Sequence, residues 1–159
     1  MAKPNRSNVV VAAIAFAVAD GAFAFNVSGV ESGMSREQSS TALTKAGFRI
    51  SQNQQDPNLL AASRDGATSV LKFCRNRLEN YSFTLSGGVV AFIHQADMLT
   101  RARGVGNPEI ASVDRGSPID SFGLSWRKGS EYVKVSYVAA SKANEESVSI
   151  TYVDDSACR

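Results

Sequence analysis

Between Ser121 and Val153 the sequence alternates apolar and polar residues in three successive runs, and this pattern constrains the fold more than any other feature. Phe122, Leu124 and Trp126 form the first run. Val133, Val135 and Tyr137 against Lys134 and Ser136 form the second. Val148, Ile150 and Tyr152 against Ser147, Ser149 and Thr151 form the third. Side chains on a strand point to opposite faces in turn, so a period of two marks a strand with one buried face. Turn-forming residues separate the runs, at Lys128-Gly129-Ser130 and over 141–145. Strands joined by short turns pair antiparallel, and an apolar sheet face needs a cover.

Two segments with helical spacing supply that cover. Ser35 with Gln38 three residues later is a capping-box signature, Ala42, Leu43 and Ala46 form a stripe, and Gly47-Phe48 is a Schellman ending. A helix is expected over about 35–46. A second, over 89–103, places Val89, Phe92, Ile93, Ala96 and Leu99 on one face. Strands are expected over 48–54, 59–64, 68–75 and 77–85, with turns at Asp56-Pro57-Asn58 and Asp65-Gly66. Further strands fall at 109–114, 121–127, 132–139 and 147–153, with a turn at Gly116-Ser117-Pro118. The fold class is α+β, two helices on an antiparallel sheet, in the order α-β-β-β(β)-α-β-β-β-β. That order suggests a duplicated unit, though no residue-by-residue repeat accompanies it.

The start of the chain reads as an address. Lys3 and Arg6 precede an unbroken apolar run of eleven residues, Val9–Ala19, and Ala22-Phe23-Ala24 ends in the small residues a signal peptidase accepts. Eleven residues of helix reach only about 16 Å, short of a bilayer core of roughly 30 Å. Residues 1–24 are therefore read as a secretory signal cleaved near Ala24. A single domain over 25–159 follows, in a periplasm or outside the cell. No later stretch is long enough to span a membrane as a helix. Hydrophobic residues make up 43% of the chain and charged residues 20%, which excludes disordered, collagen-like and polytopic membrane chains. Lys and Arg total 17 against 15 Asp and Glu, a balance without the basic footprint of nucleic-acid binding.

Cys74 and Cys158 are the two cysteines. Export and an even count favour one disulfide between them. It closes a loop of about 85 residues, worth roughly 4–4.5 kcal/mol on the chain-entropy model. No CxxC is present, and a single histidine cannot complete a Cys/His zinc set.

Gly33-Met34-Ser35 leading into a capped helix, Gly47-Phe48 beyond it, a second helix ending in Gly104–Pro108, and Trp126, Tyr137 and Tyr152 in successive strands form a set. It resembles small exported bacterial proteins of uncharacterised function. More remotely it is similar to the helix-plus-antiparallel-sheet modules of outer-membrane-assembly lipoproteins and of β-lactamase inhibitor proteins. Phe25 stands where the lipoproteins have their lipidated cysteine, and no functional residue is carried over.

Catalytic patterns are sparse. His94 shares a helix face with Asp97 and Arg101, the spacing of a solvated polar surface. No Gly-x-Ser-x-Gly elbow occurs, and Gly104-x-Gly106 follows a helix, which is not the dinucleotide arrangement. No catalytic residue, cofactor or metal is expected. Trp126, Tyr137 and Tyr152 are candidate interface aromatics, with core packing as the alternative. The chain is read as a non-enzymatic protein-binding module whose partner is another envelope or secreted protein, met through the sheet or a strand edge. The alternative is a small-ligand binder with a pocket between helices and sheet, and a hydrolase built on His94 ranks third.

Overall fold

The computed structural model describes residues 25–52, 56–103, 108–116, 119–139 and 146–158, with backbone alone at 52, 102–103, 111–116 and 119–120. Residues 1–24, 53–55, 104–107, 117–118, 140–145 and 159 lie outside them, and with them the expected signal and the turns expected at 117–118 and 141–145. In chain order the elements are β1 (Asn26–Val27), β2 (Val30–Glu31), α1 (Arg36–Lys45), β3 (Arg49–Gln52), β4 (Leu59–Arg64), β5 (Ala67–Cys74) and β6 (Arg77–Ser86). Then come α2 (Val89–Arg103), β7 (Glu109–Gly116), β8 (Ile119–Lys128), β9 (Glu131–Ala139) and β10 (Ser147–Asp154).

Local chemistry sets the ends of α1. The Gln38 N–H donates to Ser35 Oγ at 3.2 Å, and the Ser35 N–H donates to Gln38 Oε1 at 2.8 Å, which closes the capping box. At the other end the N–H groups of Gly47 and Phe48 reach the carbonyls of Thr44 and Leu43, both at 3.0 Å, in the Schellman arrangement. Arginines then tie both ends to strands. Arg36 donates to the carbonyls of Pro57 and Leu59. Arg64 donates to the Ala46 carbonyl at 2.6 Å and lies over the Phe48 ring at 4.7 Å.

All strands but β1 and β2 form one antiparallel eight-stranded sheet, in the order β3-β4-β5-β6-β10-β9-β8-β7. Each half is a helix followed by a four-stranded meander. The helix carries the chain to an outer edge, and the meander walks back to the centre. There β6 and β10 pair, from Ser147 opposite Ser86 to Val153 opposite Asn80. The two halves thus share one order of elements, α-β-β-β-β, about a common central seam.

Both helices cover the same face. One row of that face runs Ala62, Ser69, Phe83, Ile150, Val135 and Leu124; the next runs Leu60, Leu71, Tyr81, Tyr152, Val133 and Trp126. Leu43 of α1 and Phe92 and Leu99 of α2 belong to the same buried cluster. Val89 (51% exposed) and Ile93 (59%) do not, contrary to the helical stripe expected. The buried line of α2 is Phe92 and Leu99 with Ala96 packed beside them, and Val89 and Ile93 fall on its flank, where the contact with β9 and β10 is too narrow to reach them.

The β1–β2 hairpin has no counterpart among the expected elements. Its strands are two residues each, too short for any periodicity to register. Yet Phe25, Val27 and Val30 are all buried. The Phe25 ring packs on Tyr152 at 5.6 Å and Tyr81 at 6.4 Å between centroids, directly over the seam. Cys74 and Cys158 are disulfide-bonded, with Cα atoms 5.5 Å apart, so the C-terminal turn is tied to the end of β5.

Candidate interaction surface on the open face of the sheet

Alternation that sends one set of side chains under the helices sends the other set to the opposite face. No described helix packs over that second face, although at one end of it Val153 of β10 is buried, near the disulfide-tied C-terminal turn. Its first row reads Ser51, Ala61, Val70, Ser82, Thr151, Lys134, Ser125 and Glu109 across the eight strands. A parallel row holds Ser63, Thr68, Thr84, Ser149, Ser136 and Gly123. The seam itself is carpeted by small hydroxyl residues, with Lys134 one strand away beside Thr151. On the seam three hydroxyl pairs stand opposite one another, Ser86 and Ser147, Thr84 and Ser149, and Ser82 and Thr151. The last pair is hydrogen-bonded at 2.9 Å.

Beyond Lys134, other charge on this side of the sheet is partly spent. Lys72 pairs with Glu79 at 3.3 Å, and Arg127 pairs with Asp155 at 3.4 Å while lying over the Tyr132 ring at 4.8 Å. Tyr132 is the aromatic of this face. Its signal in the sequence is parity, since it sits one residue out of step with the buried Val133. Val70 on β5, 44% exposed, is an exposed apolar side chain of this face. The seam of this face donates and accepts hydrogen bonds through neutral groups, and its short side chains let another surface approach the backbone.

The aromatics selected from the sequence lie elsewhere. Trp126 (3% exposed) and Tyr152 (2%) are in the core, which removes them as contact residues of the folded protein. Strand parity puts them on the apolar face, and that is the face the helices bury. Tyr137 shares that face, half-buried beside Phe92 at 6.3 Å. Desolvation and the neighbouring Glu146 carboxylate, which accepts its hydrogen bond, push the Tyr137 hydroxyl up. His94 is exposed on α2, and Asp97 and Arg101 pair with each other at 2.9 Å, so this face is solvated. The interface between helices and sheet is filled by the β1–β2 hairpin and the buried aromatics. A shallow groove of about 660 Å³ lies instead on the outer flank of α1, between Ser28-Gly29 and Glu37, Thr41 and Lys45. Among the described residues no three His, Cys, Asp or Glu side chains gather as a metal site, and no helix is long and apolar enough to cross a membrane.

Comparison with protein-family models, curated proteins and solved structures finds no match to this chain.

Proposed function

We propose that this is an exported protein, released by cleavage near Ala24 into the periplasm or the extracellular space, that binds another protein across the open face of its sheet. One observation carries the reading: an eight-stranded sheet with one face packed under the helices and the other without a helix among the described residues, its seam lined by small hydroxyl residues. The disulfide fits an oxidising compartment. The remote resemblance to exported helix-plus-sheet modules points the same way.

Crosslinked capture from the native envelope, using the tagged exported protein, tests it. Arginine placed at the centre of the face, as Ser149→Arg, projects into the contact and should leave the melting temperature nearly unchanged while abolishing capture. Glu37→Arg, on the outer flank of α1, should capture normally. A partner retained equally by both variants, or none retained by the parent, overturns the reading.

A further inference from the structure

Asp154 is a buried carboxylate (8% exposed), and none of its partners among the described residues is a cation. Its partners are neutral donors: the hydroxyl of Ser32, the hydroxyl and N–H of Ser156 at 2.5 and 2.9 Å, and the hydroxyl of Ser130 at 3.5 Å. Glu131 stands opposite Asp154 on β9, and the adjacent Asp155 pairs with Arg127 at 3.4 Å. Among the described residues no lysine, arginine or histidine pairs with Asp154. Buried charges are ordinarily paired, because desolvation is costly without an opposite charge.

The open end of the β1–β2 hairpin lies over this carboxylate. The Ser32 N–H donates to the Phe25 carbonyl at 3.3 Å, so the two residues face each other across the hairpin, and the Ser32 hydroxyl is the one that reaches Asp154. The Phe25 ring rests on Tyr152, two residues before Asp154 on the same face of β10. We propose that removal of the leader adds a charge partner to this site: the α-ammonium created on Phe25 pairs with Asp154, and processing thereby locks the hairpin onto the sheet. The proposal rests on cleavage at Ala24–Phe25, as read above. In that step a peptidase adds water across the amide. The C–N bond breaks, the water oxygen bonds to the Ala24 carbonyl carbon, and the Phe25 nitrogen takes a proton. At neutral pH the two new ends ionise to a carboxylate, which leaves with the leader, and an ammonium, which stays.

The test uses the protein purified after export, with its N-terminus sequenced first. A start at Phe25 is expected, and a start elsewhere overturns both the processing reading and the proposal. With a Phe25 start, the α-amine should titrate about one unit above the ordinary ~7.7 by NMR, and should return to that value in Asp154→Asn. A chain with one alanine inserted between Ala24 and Phe25 keeps its charge but displaces it. It should show an ordinary α-amine and a melting temperature lower by roughly 4 °C. An ordinary α-amine in the Phe25-start protein, or equal melting of the two chains, overturns the proposal alone. These two readings decide the matter even if Asp154→Asn fails to fold.

Discussion

Turns at the residue scale divide into those announced by residue type and those held by contacts. Asp65 and Gly66 take φ of 51° and 81°, the left-handed pair of a tight hairpin turn, and Asp-Gly is its familiar sequence. Arg75 and Asn76 take nearly the same angles, 50° and 61°, without a glycine. Arginine there costs about 1–2 kcal/mol, which is why the break between β5 and β6 is hard to see in the sequence. The turn is held from both sides, by the Cys74 disulfide and by Asn76 Oδ1 accepting the Arg36 N–H. Arg75→Gly should therefore raise stability by up to about 1 kcal/mol, and Gly66→Ala should lower it by a similar amount, read as shifts in urea midpoint at constant slope. Asp154 gives a pH signature. Burial pushes its carboxyl up, but hydrogen bonds from Ser156, Ser32 and Ser130 outweigh this and hold it below its ordinary 3.8. The native state thus favours the ionised form, so the contribution is full above the unfolded value and lost as pH falls through the folded one. The stability difference between the parent and Asp154→Asn should be constant near neutrality and shrink below about pH 4.

Elements differ in how much of their stability is their own. The stop signals of α1 are local and legible, since Ser35, Gln38 and Gly47-Phe48 each act within one turn. Its two arginine ties come from tertiary contact. Arg64, at the end of β4, brings a cation to the α1 C-terminus and lays its guanidinium over the Phe48 ring. Ser35→Ala should cost about 1 kcal/mol, and Arg64→Ala about 1–2 kcal/mol. Chemical denaturation of the singles and the double should give near-additive losses, because the two act at opposite ends of the helix. Strand positions and parity were readable to within a few residues, as 59–64 against Leu59–Arg64 illustrates. The candidate site was readable only as the complement of the apolar pattern. Alternation says which residues avoid the core, but not that the face they form stays uncovered.

Across the whole molecule, long-range closures hold the two halves as one body. The disulfide joins residues 84 apart and pins the last turn, where Ala157 is buried, to the end of β5. Removing it as Cys74→Ser with Cys158→Ser should lower the melting temperature by roughly 10 °C or more, and reductant should do the same to the parent. No change on reduction would mean that the cross-link does not constrain the unfolded chain. The Phe25 hairpin is the second closure, spanning Tyr81 of one half and Tyr152 of the other.

By itself the sequence determined the parity of the strands, the turns built on glycine, aspartate and proline, the capped first helix and the pairing of the only two cysteines. Each depends on neighbours a few residues apart, or on there being no other partner. Tertiary structure alone decided that β6 meets β10, that Phe25 reaches the seam, that Arg36 and Arg64 bind α1, and that one sheet face is left open. Those outcomes join residues far apart in the chain. Their energies depend on which surfaces are brought together, and no local period of apolar residues encodes that.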